Sequence, residues 1–361
     1  VHRLFSRLHA PAQGRLAPFT GAAAWLNTEP LTPADLRGKV VAVDFWTFTC
    51  INWLRTLPYI RAWADAYAAH GLVVVGVHTP EFGVEHEIDG VRRAVRDMRI
   101  EYPVAIDNDY AVWNAFENQY WPALYVADTE GRIRHHHFGE GDYEGSERLI
   151  RHLLTDAGAD DLPDTVIVEP SGIELEADWH SVRSFETYVG FARSSGFASP
   201  DSGAFDEARL YTVPSELHLN QWALAGDWTL RAEAAVNNAA NGRIVYRFHA
   251  RDLHLILVPP PAAPSARFRV RLDGQPPGDA HGLDVGGDGN GAVTEPRPVS
   301  TGSTARSDHR PAIRDRVSRP RCRSVVLHLR IARRIRRRSR WVSPSSLDGA
   351  VAMGDSFTPF A

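Results

Sequence analysis

The sequence predicts an α/β domain followed by an antiparallel, jelly-roll-like β-sandwich. Three observations carry this. Residues 40–46 and 72–78 are apolar with hardly a break and alternate with stretches of helical spacing, as strands of a parallel sheet covered on both faces do. A hairpin signal at 121–138 closes that series. Beyond about residue 185 the pattern changes to strict alternation, one face dry and one wet, as in two packed antiparallel sheets.

The elements follow in order. Residues 31–38 form a lead-in, with Thr32, Pro33, Ala34 and Asp35 as turn and cap residues. Residues 40–46 form a buried strand. The segment 50–70 is a helix, because Leu54, Leu57, Ile60 and Trp63 recur at helical spacing and Gly71 ends it. Residues 72–78 are the second buried strand, and 85–99 a charged amphipathic helix with Val91, Val95 and Met98 inward. A short strand at 102–106 and a short helix at 110–116 follow. Strands at 121–127 and 133–138 flank a turn running from Asp128 to Gly131, and a helix at 147–157 closes the domain. Residues 160–170 read as a linker ending in a short strand, and 185–205 as loop. Then Trp228, Leu230 and Ala232 share a face, as do Ile244, Tyr246 and Phe248, and Leu253, Leu255 and Leu257. Phe268, Val270 and Leu272 alternate with Arg267, Arg269 and Arg271.

The chain has 361 residues, enough for two domains with real cores. Its net charge of −4 hides an asymmetry: 15 of the 40 basic residues, all arginine, lie beyond residue 296 beside only 4 acidic ones. A basic tail on an acidic body ordinarily points to nucleic acid or an anionic surface. Here alternation vanishes inside the tail, and aperiodic, arginine-rich sequence is what a GC-rich gene yields when read out of frame. Residues 297–361 are therefore expected to be an out-of-frame or disordered tail, and no nucleic-acid partner is expected. The expected organisation is an extension at 1–17, an α/β domain at 18–157, a linker at 158–184, a sandwich at 185–296 and the tail. No stretch is apolar and long enough to span a membrane. Residues 1–30 lack the apolar core of a signal peptide, so the chain as it stands reads as cytoplasmic. An exported or membrane-associated location is expected instead if it continues a longer N-terminus.

Cys50 is the most informative residue. It follows the apolar strand directly and stands where the helix begins. A thiolate there meets unpaired N–H groups and the positive end of the helix dipole, and cysteines so placed have lowered pKa values and act as nucleophiles. The competing reading is an inert buried cysteine at a strand end. Cys322 is the second of only two cysteines, so a disulfide framework is excluded.

Residues 18–157 resemble the thioredoxin superfamily in its TlpA/redoxin branch. Val43-Asp44-Phe45-Trp46, Cys50, Trp121-Pro122 and the turn from Asp128 to Gly131 carry the resemblance. The sandwich behind such a domain resembles the exported portion of DipZ-type proteins. The resemblance implies that Cys50 is the attacking thiol, that Asp44 is the buried acid that shuttles protons, and that Pro122 is cis in a loop facing the sulfur. Trp46, Thr49, Trp121 and His78 are the candidate substrate contacts. The departure is Trp53, which stands where a two-cysteine enzyme keeps its resolving thiol. Resolution must then come from an external thiol. The Trp53 ring, three residues on, is placed to shield the sulfur or stack on a substrate, or simply to fill space in a degenerate site.

Three functions fit these residues. The first, and the expectation, is thiol–disulfide exchange or isomerisation through mixed disulfides, with protein or small-molecule thiols and disulfides as partners. The second is a one-cysteine peroxidase, since Thr47 stands three residues before Cys50 in a pattern that resembles the peroxiredoxins, which implies a hydroxyl that orients the peroxide. Against it, Val43 occupies the position of an expected proline and no arginine is evident beside the sulfur. The third is a binding module that kept the fold and lost turnover. No cofactor is expected. His135, His136 and His137 suggest a metal cluster, but strand geometry puts His136 on the opposite face. Asp284 to Glu295 has the length of a calcium loop, but Gly286 supplies no ligand at its third position, so a hairpin turn is the better reading. Trp222 and Trp228 suit stacking on a carbohydrate, with a peptide as the other ligand considered; the plainer reading of both is core.

Overall fold

The two unbroken apolar runs become neighbouring parallel strands in the middle of a mixed six-stranded sheet. This is seen in a computed structural model that describes residues 13–200, 205–260 and 265–303, with the backbone of 323–330 and 352–353. The chain divides into two compact units, Val1–Leu175 and Glu176–Ala361.

In the first unit the strands are β1 (Ala24–Leu26), β2 (Val40–Trp46), β3 (Leu72–His78), β4 (Val104–Ile106), β5 (Ala123–Ala127) and β6 (Ile133–Phe138), in the order β1-β4-β3-β2-β5-β6. β2, β3 and β4 are parallel, and β5 and β6 form the antiparallel hairpin. Every residue of β2 is buried because both faces are covered. Val40, Ala42 and Trp46 pack toward helix α1 (Ile51–Tyr67), while Val41, Val43 and Phe45 join a second cluster with Phe116 and Tyr125. This is a thioredoxin-like fold. β2 thus delivers its last residue to the point where α1 starts, and the loop between them holds Cys50.

Several boundaries moved. β1 is absent from the sequence reading, since three residues are too few to show alternation; it pairs antiparallel with β4. The charged helix α2 runs over Ile88–Asp97, and residues 83–86 form a separate 3-10 turn. Helix α3 spans Ala111–Ala115. Helix α4 spans Tyr143–Asp156 and starts earlier than 147, where Tyr143 stacks on Tyr59 at 3.7 Å. Residues 160–170 contain no strand. The early part of the expected linker packs on the first unit instead, where Glu174 pairs with Arg61 at 2.7 Å and Val166 joins the core.

The second unit is rich in antiparallel sheet. One sheet holds β8 (Ala208–Tyr211), β9 (Trp222–Leu230), β10 (Ala235–Asn237), β11 (Gly242–Phe248), β13 (Ala266–Leu272), β14 (Asn290–Val293) and β16 (Arg323–Arg330). The other holds β7 (Thr187–Tyr188), β12 (Asp252–Leu257), β15 (Arg297–Ser303) and β17 (Ala352–Met353). Their inner faces share one core, with Leu253, Leu255 and Leu257 against Ile244, Tyr246 and Val270. Sheet continues past residue 296, since β15 pairs with β12 and β16 lies between β11 and β13. The rest of the arginine-rich segment, including most of the stretch expected to be out of frame, lies outside the described residues, as does Cys322.

Candidate active site around Cys50

Cys50 is the N-cap of α1, in extended conformation at φ −73° and ψ 111°. No side chain caps this end, and the first turn carries no acid. The N-cap side chain is therefore the group placed to meet the free N–H groups and the dipole. Cys50 is half-buried, and its thiol donates to the Trp121 carbonyl at 3.9 Å. The Trp121–Pro122 peptide is cis, and the Pro122 carbonyl accepts from Gly139 N at 2.8 Å. The Cys50 sulfur and the Trp121–Pro122 loop thus face each other at the end of the sheet where β2 stops.

Beneath the sulfur lies a buried aromatic and acidic layer. Trp53 is 0% exposed; it stacks on Trp46 at 4.2 Å, and its indole N–H donates to Asp44 Oδ2 at 2.8 Å. The other Asp44 oxygen, Oδ1, is buried without a hydrogen-bond partner among the described residues. Burial pushes the Asp44 carboxyl up to about 7, and the Trp53 hydrogen bond opposes that. Of the readings open for Trp53, its burial, its stack on Trp46 and its bond to Asp44 match the one in which the ring fills space in the core.

The other expected substrate contacts also turn inward. Trp46, Thr49 and His78 are buried, and only Trp121 is half-exposed. The first three support the site from below. His78 lies edge-on to Trp46 at 4.8 Å and near Thr47 Oγ1 at 3.5 Å, and burial pushes its imidazole down to about 3, so it is neutral. Trp121 is held by its indole N–H, which donates to the Thr79 carbonyl at 2.9 Å, and by stacking on Trp113 at 4.1 Å.

Three charged residues of this region were missed. Glu85 is 0% exposed and accepts from the Thr49 backbone and hydroxyl. Its position, three residues into a helical turn, reads in sequence as an ordinary solvated cap partner. Arg55 and Glu140 form an ion pair at 3.1 Å with side chains 1% and 4% exposed. Arg55 lies off the Leu54–Leu57–Ile60 stripe, so helical spacing places it in solvent; the loop after β6 folds over it instead.

The remaining constellations resolve as structure. His136 is exposed while His135 and His137 are half-buried, and no group of three or more metal-ligating residues occurs among the described residues. Both Asp284 oxygens are engaged, by Arg297 at 2.7 Å and by Ser300 N at 2.7 Å, and a turn follows in which Gly286 N donates to Asn290 O. Trp222 and Trp228 are fully buried and donate to the carbonyls of Ser195 and Ala225, so neither offers a face to a sugar.

Known proteins resemble both parts of the chain. The AhpC/TSA family model matches residues 15–136, and the model of a thioredoxin-like C-terminal domain matches residues 184–310. The thiol-disulfide oxidoreductase YkuV of Bacillus subtilis is 30% identical over 137 residues, which is 38% of this chain and 92% of that protein. Protein DipZ of Mycobacterium tuberculosis is 37% identical over 249 residues, 68% of this chain; the chain spans only 35% of the DipZ length. The solution structure of a thioredoxin-like protein in its oxidized form covers 40% of this chain and 96% of its own, at 30% identity and a TM-score of 0.37.

Proposed function

The chain belongs to the thioredoxin-like TlpA/redoxin family, and on that premise we propose that it performs thiol–disulfide exchange with one nucleophilic sulfur, Cys50. The observation that carries the single-sulfur reading is Trp53, fully buried in the position three residues past Cys50 and bonded to Asp44. The Cys50 thiolate attacks one sulfur of a substrate disulfide; a Cys50–substrate disulfide forms and the other substrate sulfur leaves as a thiolate that takes up a proton. An external thiolate then attacks the Cys50 sulfur and releases the remaining substrate thiolate. A second external thiolate then attacks the donor sulfur of the resulting Cys50–donor disulfide, which releases the Cys50 thiolate and leaves the two donors joined as a disulfide. Two electrons pass from the donors to the substrate.

Contacts around Thr47 favour exchange over peroxide reduction. Its hydroxyl is buried and faces His78 at 3.5 Å, and the buried Arg55 is engaged by Glu140. Neither is left to orient a peroxide. A cysteine that is not fully buried, at an uncapped helix start, favours turnover over a purely binding role.

The test is to trap mixed disulfides on Cys50 in cells and identify them by mass spectrometry, with Cys50→Ser as control. Long-lived adducts with protein or small-molecule thiols are expected. A wild-type Cys50 that takes up no thiol, or that is sulfenylated rapidly while consuming peroxide, sinks the proposal.

A further inference from the structure

The segment 79–85 touches both walls of the sulfur site. On one side the Trp121 indole N–H donates to the Thr79 carbonyl at 2.9 Å, and the Trp121 carbonyl receives the Cys50 thiol. On the other side the segment ends in Glu85. Its Oε1 accepts from the Thr49 backbone N–H at 3.3 Å and from the Thr49 hydroxyl, and its Oε2 accepts from the N–H groups of Glu81 at 2.7 Å and Phe82 at 2.9 Å. Glu85 is 0% exposed.

We propose that Glu85 is a positioning residue for the chemistry of Cys50. Its carboxyl clamps the turn 47–49 to the segment 79–82 and so fixes the direction from which the sulfur meets an incoming disulfide. The physical case is one of connectivity. Thr49 is the residue before Cys50, and both its donors end on Glu85. Besides them, the turn is closed by Cys50 N donating to Thr47 O at 3.2 Å. The opposite wall hangs on Thr79, in the same segment. Thr79 N also donates to Trp46 O at 3.0 Å, so Thr49, Glu85 and Thr79 act together with this direct tie in setting the separation between sulfur and Trp121 carbonyl. Exchange requires near-linear attack along the disulfide, so a turn that shifts reorients the sulfur without changing its chemical nature. This role rests on the exchange reading of Cys50 given above.

The test compares wild type with Glu85→Gln, Thr49→Val and Thr49→Ser. Gln replaces one carboxylate oxygen by an amide NH2, a donor that cannot accept from the two N–H groups at Oε2 or from the Thr49 donors at Oε1; Val keeps the shape of Thr49 and removes its hydroxyl; Ser keeps the hydroxyl. Two rates are measured on each protein: alkylation of Cys50 by iodoacetamide, and mixed-disulfide formation with oxidised glutathione. The expected result is that glutathione uptake falls about 10- to 100-fold in Glu85→Gln and Thr49→Val. Alkylation should hold close to the wild-type rate, and Thr49→Ser should restore glutathione uptake. A general loss of structure would lower or raise both rates together, and that outcome overturns the role, as does unchanged glutathione uptake in both variants. A wild-type protein that is alkylated yet takes up no glutathione overturns the exchange reading itself and this role with it; equal uptake by wild type and variants overturns only Glu85.

Discussion

The indole N–H of Trp53 donates to the Asp44 carboxylate at 2.8 Å. This bond joins the two residues in which the site departs from and keeps to its family pattern. Asp44 remains where a buried acid is expected. The residue that would hold a second thiol has become its hydrogen-bond donor, stacked on Trp46 and sealed from solvent.

Trp53→Phe keeps a ring on Trp46 and removes the N–H. The Asp44 carboxyl then loses the contact that opposes its upward shift. Its titration midpoint should rise above that of the wild type, and stability should fall by about 1–3 kcal/mol. Carbon-13 NMR of the Asp44 carboxyl and urea unfolding read the two effects; an unmoved midpoint refutes the coupling.

Trp53→Cys supplies a second sulfur where the two-cysteine relatives of this fold carry one. The introduced thiol should close a disulfide with Cys50 and shorten the life of trapped mixed disulfides. Exchanging a buried indole for a small side chain should also cost about 3–5 kcal/mol. Mass spectrometry of the oxidised variant shows the disulfide. Adducts as persistent as those of the wild type would mean that resolution does not depend on this position.

Asp44→Asn should gain on the wild type as pH rises. Burial lifts the folded Asp44 from the ordinary carboxylate range to about 7. The unfolded chain gives up this proton near pH 4, the folded chain only near pH 7. Stability from the protonated acid is therefore complete below the lower value and is lost as pH climbs through the upper one. Asparagine is free of that loss, so the difference between variant and wild type should grow by about 2–4 kcal/mol between pH 4 and pH 8. Parallel stability curves from denaturant titrations across that range would contradict the assignment.

Arg55→Met removes the guanidinium beside Glu140, whose side chain is 4% exposed. A buried carboxylate deprived of its cation should destabilise the protein by about 3–5 kcal/mol. Arg55→Met with Glu140→Leu should recover most of that. Thermal or urea unfolding of the two variants decides; equal losses in single and double variants would show that the pair is not the source.

The strands and helices of the first unit were readable because their period is local. Val40 to Trp46 has no polar interruption except Asp44, and Leu54, Leu57 and Ile60 mark one helical face. Cys50 was readable for the same reason, since a strand end and a helix start fix its place without reference to the rest of the chain. Glu85, Arg55 and Glu140 were not. A charged residue at a helix start or on the flank of an amphipathic helix carries the same local signature whether water or protein covers it. Trp46 and His78 failed in the opposite sense: they stand beside the site in sequence but are covered by Trp53 and Phe48 in space.

By itself the sequence determined that this chain builds an α/β sheet with one sulfur at the mouth of a helix and no thiol three residues on. Only the tertiary structure decided what Trp53 does in that position, and which charges are buried around it. Periodicity is a property of neighbours along the chain. Burial and hydrogen-bond partners are set by segments far apart in sequence, such as Thr49 with Glu85 and Arg55 with Glu140, that meet only when the sheet closes.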